Sequence, residues 1–409
     1  MPPPPRPGSS RAILVFLAAT IVLDALAQSI SFPILPRLAR SLVGGDPARA
    51  ARWVGWLEVS WAIPQLLAAP VLGALSDRFG RRPVIVFSML GVGLELILNA
   101  LAPSIGWLVA GRIFCGLFCG GYAAVMAYVA DVTRPEDRAG AYGWMSVAPW
   151  VGVILGPAAG GLLAAIDLRA PFWAAAAVAL AASAYGALVL PESPRERPAE
   201  PLRLANLNPW RAVDLLARPG LALLSVALLL VWLAFQGKDN MIVLYTAVRY
   251  RWSPLDFGLF ATALAAAAIA VQGALAGRAA RRFGERATVL GGLALQALGM
   301  AGMALASGGA LFWAANLPAV LGSVATPALQ SMMSQAVGPE EQGRLQGALG
   351  SVASFTGIVA PVTFTQLFAW TIASGRGTAW SGATILVGAG LSLAACALVA
   401  VARPVRTRS

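Results

Sequence analysis

The stretch G-A-L-S-D-R-F-G-R-R-P, Gly73 to Pro83, sets one acid and three arginines in a turn between two apolar runs. Charge that dense marks a membrane edge when the flanking runs reach about 20 residues, enough to cross roughly 30 Å of hydrocarbon. Runs of that kind recur from end to end of the 409 residues, which are 58% hydrophobic and 12% charged with a mean hydropathy of +0.73. A soluble core needs far less apolar material. Irregular backbone has no water to bond in lipid, so the crossing segments must be helices. Twelve are predicted, near 12–35, 53–75, 84–103, 105–130, 141–165, 171–190, 221–247, 255–277, 287–306, 310–336, 345–370 and 379–402. The fold class is all-α and membrane-embedded.

The formal charge is +12, which on a soluble chain suggests nucleic acid. Placed on these spans, however, most arginines fall on one face: Arg11, Arg78, Arg81, Arg82, Arg134, Arg138, Arg278, Arg281, Arg282, Arg286 and Arg344 among them. Basic loops stay in the cytoplasm, which puts both termini inside, in contact with anionic lipid headgroups. No nucleic-acid partner is expected. Arg11, an apolar run and Ala25-Leu26-Ala27 imitate a cleaved secretory signal. Asp24 interrupts the apolar segment and the run continues to Pro36, so it reads as the first span.

Residues 1–11 and 403–409 read as cytoplasmic tails, the first disordered, and 191–220, rich in Pro and charge, as a cytoplasmic linker between 12–190 and 221–402. Cys115, Cys119 and Cys396 form no metal-type cluster, and histidine is absent. With no Walker-type glycine loop and no Ser-His-Asp set either, no cofactor, no metal and no enzymatic activity are expected. An ion gradient remains as the energy source.

The chain matches itself at an offset of 204 residues: Arg78-Phe79-Gly80 falls on Arg282-Phe283-Gly284, Arg82 on Arg286, Gly143 on Gly347 and Pro157 on Pro361. Two six-helix bundles follow. Halves related by an axis along the membrane normal are a transporter plan with the substrate near the midplane, although a duplicated scaffold without transport has the same repeat.

In the opening stretch Gly73 and Gly80 permit close approach and a tight turn, and Pro83 suits the first turn of a helix. The arginines set orientation, but Asp77 contributes little to it and needs positive potential nearby. The start of the helix near 345, on the same side, offers about half a positive charge, so Asp77 is expected to latch there when the cytoplasmic mouth shuts. The pattern resembles the signature of the major facilitator superfamily, G-x-L-x-D-R-x-G-R-R, through Gly73, Leu75, Asp77, Arg78, Gly80, Arg81 and Arg82. The resemblance implies a cytoplasmic gate that includes Asp131 at the end of span four. In the second half Arg281 stands where Asp77 would be.

Span five carries Gly152, Gly156, Pro157, Gly160 and Gly161 as G-V-I-L-G-P-A-A-G-G, small residues for close helix packing around a proline bend. The pattern is similar to the antiporter motif of proton-coupled drug exporters. Most of the chain resembles bacterial tetracycline efflux proteins, through L-D-A-L-A-Q-S-I-S-F-P-I-L-P, G-R-I-F-C-G at Gly111, P-A-L-Q-S-M-M-S near 327 and Q-G-R-L-Q-G at Gln342.

Charges within spans are costly and mark function. Asp24 lies midway along span one, and Glu95 and Arg112 fall at similar depth on a hairpin. They form either a static ion pair or, with Asp24, a proton-coupling set, the role the resemblance implies. Gln296 stands where tetracycline exporters commonly carry an acid, and Lys238 and Asp239 add charge to span seven. Asp239 replaces that acid in proton coupling, the pair neutralises itself, or Lys238 snorkels outward. Gln28, Gln65, Gln236, Asn240, Gln272 and Gln296 are candidates to hold a substrate by hydrogen bonds, or to bond between helices. The chain thus reads as a monomeric antiporter of the bacterial cytoplasmic membrane, expelling a moderately hydrophobic, tetracycline-like drug or metabolite in exchange for protons. The alternatives are a proton symporter for a nutrient or siderophore, and a receptor that does not transport.

Overall fold

The structure is a computed structural model and describes residues 7–134, 137–193, 214–218, 220–374 and 378–402. Residues 1–6 of the tail expected at 1–11, the tail at 403–409 and most of the expected linker lie outside the described residues, while residues 7–11, expected to be disordered, open the first helix, whose turns continue through them. Among the described residues twelve helical stretches are long and apolar enough to cross a membrane, from Ile13–Leu42 to Trp380–Val401. Several run past the expected ends: Pro47–Phe79, at 33 residues, is about 50 Å long at 1.5 Å per residue.

The helices are α1 (Pro7–Ser31), α2 (Leu35–Leu42), α3 (Pro47–Phe79), α4 (Arg81–Leu101), α5 (Ile105–Phe118), α6 (Gly121–Val132), α7 (Arg138–Ala164) and α8 (Ala170–Val189). After the linker come α9 (Ala222–Arg249), α10 (Pro254–Val271), α11 (Gly277–Phe283), α12 (Glu285–Leu305), α13 (Gly309–Gly322), α14 (Ala325–Gln335), α15 (Gln342–Ala373) and α16 (Ala383–Val401). Among the described residues four spans are therefore each made of two helices, and in the eighth α10 and α11 join through the π-helical turn Gln272–Ala276. The first breaks after Ser31, where Pro33 has no N–H to donate and Pro36 sits in the first turn of α2. The fourth breaks at Cys119-Gly120 and the tenth at Ser323-Val324, the same place at the 204-residue offset.

The repeat is carried in three dimensions without a gap. The bounds of α4 and α5 map at that offset onto those of α12 and α13, and α6 and α7 start where α14 and α15 start. The turn before each third helix of a half is a glycine at positive φ, Gly80 at 111° and Gly284 at 81°, a region that only glycine enters without strain. Gly73, by contrast, has open space around it. Close approach is not its role.

The chain divides into two compact units. One comprises Met1–Gly44, Ser60–Leu204 and Ser253–Thr262, and the other Gly45–Val59, Ala205–Trp252 and Ala263–Ser409. In the first, α1 lies on α7 and α8, and α4 on α5, α6 and α8. Its core gathers Phe16, Leu17, Ile85, Val125 and Tyr128. In the second, α9 lies on α15 and α16, and α12 on α13, α14 and α16, around Leu224, Leu228, Leu293, Leu329 and Leu345.

Inside hydrocarbon, helices associate through close packing rather than apolar burial, so small residues belong at the contacts. On α7, a Cβ at Gly152 would lie 2.4 Å from the Leu26 nitrogen, and one at Gly160 2.2 Å from the Ile30 oxygen. Both neighbours are backbone of α1. Gly160→Val is therefore expected to destabilise the protein by about 1–3 kcal/mol, the cost of overpacking, read as a lower thermal unfolding midpoint in detergent. Gly143→Val, on the same helix but in open space, leaves the midpoint unchanged.

Candidate transport site

A cavity of about 560 Å³ lies within the first unit. At one part of its wall stand Asp24, Gln28, Trp61 and Gln65, and at another Gly73, Ser76, Asp77 and Arg81. The intramembrane acid and the charged turn thus share one space. The break between α5 and α6 supplies further wall, from Phe118 to Ala124. Asp24 Oδ2 accepts a hydrogen bond of 3.0 Å from Gln28 Nε2, one helical turn on. Among the described residues no donor reaches its buried Oδ1. An amide alone cannot neutralise a carboxylate, so this oxygen is a place for a proton or for a ligand's donor.

Glu95 lies elsewhere, 4% exposed on α4, and accepts from Asn99 Nδ2 at 2.5 Å. A Cβ on Gly111 would be 3.7 Å from Glu95 Cγ, so the hairpin does bring Glu95 to the depth of Arg112.

At the charged turn between α3 and α4, Arg81 is the organising charge. Its guanidinium, 7% exposed, pairs with Asp77 at 2.7 Å and with Asp131 at 3.2 Å, and donates to Ser76 Oγ at 3.2 Å. Within this unit Arg81 is a partner of Asp77. Arg82 donates to the Ala187 carbonyl near the end of α8, and Arg78 stacks over Phe79. In the second half Arg286 donates to the Ala400 carbonyl and Arg282 stacks over Phe283, the same two devices repeated.

Glu192 and Ser193, just beyond α8, are functional neighbours that the sequence reading missed. Glu192 Oε1 accepts from the backbone N–H of Arg81 at 2.7 Å and of Arg82 at 3.3 Å, and Ser193 Oγ donates to Asp131 at 3.1 Å. Orphan N–H groups at the start of α4 receive a carboxylate there, the favoured charge for a helix N-terminus. The available signal was a Pro-Glu-Ser triplet directly after a span.

In the second unit Lys238 and Asp239 pair at 2.6 Å, with the lysine 7% and the aspartate 34% exposed. Lys238 does not snorkel. Its ammonium also lies 5.4 Å from the centre of the Phe235 ring, a cation–π contact. Gln236 donates to Thr356 Oγ1 at 2.8 Å, and Asn240 to the Gln236 carbonyl at 2.8 Å. Gln296 is buried on α12 beside Gly322. Gln272 is exposed at the start of a π-helical turn, Gln272–Ala276. The six amides thus divide: Gln28 and Gln65 line the first unit's cavity, while Gln236, Asn240, Gln272 and Gln296 belong to the second.

The glycine-rich bend holds another missed residue. Thr262 Oγ1 donates to the Ile154 carbonyl at 2.7 Å and accepts from the Ala158 N–H at 3.2 Å. Those two groups are an i to i−4 rung of α7 beside Pro157, so the hydroxyl is inserted into the helix ladder at its bend.

A twelve-span helical protein with duplicated halves and an intramembrane acid on a cavity belongs to the class of membrane transporters. The sequence profile of the Major Facilitator Superfamily matches residues 17–361 and 241–409. The chain belongs to that superfamily. It is 38% identical to the class C tetracycline resistance protein of Escherichia coli, with 94% of this chain and 95% of that one covered. It is 33% identical to the class G protein of Vibrio anguillarum, with 92% and 95% covered. The crystal structure of the human organic anion transporter MFSD10 shares the fold, with a TM-score of 0.67 at 23% identity over 97% of this chain and 100% of that one.

Glu192→Ala is expected to leave the two N–H groups at the start of α4 without their acceptor and to cost about 1 kcal/mol, the usual value of a helix cap. The measurement is the thermal midpoint, which Glu192→Gln, still an acceptor, lowers less.

Proposed function

We propose that this transporter is a proton-coupled antiporter that exports a moderately hydrophobic, tetracycline-like compound across the bacterial cytoplasmic membrane, as a monomer with both termini inside and no cofactor. The observation that carries the reading is Asp24, whose Oδ1 lacks a donor at the wall of a 560 Å³ cavity. Relatives named tetracycline resistance proteins support the substrate class. Antiport needs one group for which substrate and proton compete. On the outer side Asp24 takes a proton and the substrate leaves; on the cytoplasmic side the proton is lost and the substrate's donor takes its place. Gln28 and Gln65, on the same cavity, orient the substrate by hydrogen bonds. Glu95 and Arg112, at similar depth on the α4–α5 hairpin, tune the charge of the first half.

At the cytoplasmic mouth, Asp77 is the more exposed of the two acids on Arg81, at 45% against 13% for Asp131. Asp77 is the one that lets go of the guanidinium as the mouth works, while Asp131 and Ser76 keep it in place. Lys238 holds Asp239 as a neutral pair, with Gln236 and Asn240 as substrate contacts beside it. Asp239 enters coupling only when that pair opens, and Gln272 and Gln296 complete the polar groups of the second half.

In inside-out vesicles energised by a proton gradient, wild-type protein is expected to accumulate tetracycline and to lose that ability with a protonophore. Asp24→Asn, at equal protein in the membrane, falls to background. Undiminished uptake by Asp24→Asn removes Asp24 from the mechanism, and tetracycline movement along with protons rather than against them reverses the direction.

The Lys238–Asp239 pair has its own test, since breaking a buried pair on one side strands a charge. Lys238→Ala is expected to destabilise by about 3–5 kcal/mol, and Lys238→Ala with Asp239→Ala by much less, measured as thermal midpoints.

A further inference from the structure

The cytoplasmic joint of the first half has a counterpart in the second, and its polarity is inverted. In the first half Arg81 opens α4, Asp131 lies in the last turn of α6, and the arginine Nε donates to Asp131 Oδ2 at 3.2 Å. At an offset of 204 residues stand Glu285, which opens α12, and Gln335, which closes α14. Gln335 Nε2 donates to Glu285 Oε1 at 2.9 Å, and the hydroxyl of Ser331, one turn earlier on α14, donates to the same oxygen. Donor and acceptor have exchanged helices while the joint stays.

Helix ends make the two joints unequal. A cation at a helix N-terminus and an anion in a C-terminal turn both oppose the macrodipole. Arg81 and Asp131 are so placed, and their joint draws in Glu192 and Ser193 from beyond α8. Glu285 is an anion at a helix N-terminus, the favourable end, and its two partners are neutral donors. We propose that Glu285 is a positioning residue for transport: by accepting from Ser331 and Gln335 it forms a standing joint that keeps the cytoplasmic ends of α12 and α14 in register, while the first half exchanges partners at Arg81. Its carboxylate serves as an acceptor and carries no proton for coupling.

The test uses full-length variants with two readouts, thermal unfolding of purified protein and gradient-driven tetracycline uptake into inside-out vesicles. Glu285→Gln, which keeps an acceptor oxygen, is expected to hold both values close to wild type. Glu285→Ala lowers the midpoint and cuts the maximal rate about fivefold with KM unchanged, the pattern of a group that positions without touching substrate. Glu285→Arg fails in both readouts, and Glu285→Arg combined with Gln335→Asp, which transplants the first half's pair, restores both to within about twofold. A Glu285→Gln variant that melts normally but no longer responds to the gradient overturns the proposal, as does a double variant no better than Glu285→Arg alone. The uptake arm rests on the exporter reading. Should wild type move no tetracycline, that reading fails separately, and the unfolding series alone decides the joint.

Discussion

A guanidinium buried at the start of a helix is a costly thing to place, and the charged turn of the first unit is organised around one. Arg81 is 6% exposed and sits where the helix dipole already concentrates positive charge. It is tolerable only because acids converge on it from separate stretches of chain: Asp77 from α3, Asp131 from α6, and Glu192 on the adjoining backbone N–H groups from beyond α8. Removing one partner from such a group strands a charge, so the arrangement is held as a whole. The dense charge of Gly73–Pro83 follows from this: one residue of the motif demands the others, and a helix end more than a hundred residues later.

Asp24 and Asp239, two of the acids within spans, have surroundings of opposite kind. Asp239 has an ammonium at 2.6 Å and needs no further neutralisation. Asp24 has one amide, and its other oxygen has no donor among the described residues. In low dielectric the second arrangement must be completed from outside the fold, by a proton or by a ligand. On the proposed exchange of proton and substrate, that difference divides the labour between them and sets the exchangeable group on the cavity, where Trp61 and Cys119 add apolar surface.

The spans, the repeat and the charged turn were legible in the sequence because each has a local or periodic signature: apolar runs, the 204-residue self-match, and the Gly80 turn whose φ only glycine accepts. What stayed hidden depends on distant partners. Glu192 reads as one more charge in a linker until α8 returns it to Arg81, and Thr262 reads as a neutral span residue until its hydroxyl meets the Pro157 bend. The breaks in the fourth and tenth spans were missed for another reason. Neither contains a proline at the break, and hydropathy continues through it. Gly73 was overread, since its neighbourhood is open.

Those two breaks say what the duplicated halves hold in common. Each frees backbone groups inside hydrocarbon, where they need partners at once. The Gly120 N–H takes the Phe118 carbonyl at 2.9 Å, and the Ser323 N–H takes that of Val320 at 3.0 Å. The turn tightens instead of leaving groups unpaired. In the first unit the broken stretch forms cavity wall from Phe118 to Ala124, on the same cavity as Asp24 and Gln28. In the second, Gly322 at the break is pressed against the backbone of Gln296, and a substituent there has no room. One backbone device, kept in register across 204 residues, opens a cavity wall in one half and closes a helix contact in the other. The side chains, not the shared architecture, make the halves unequal.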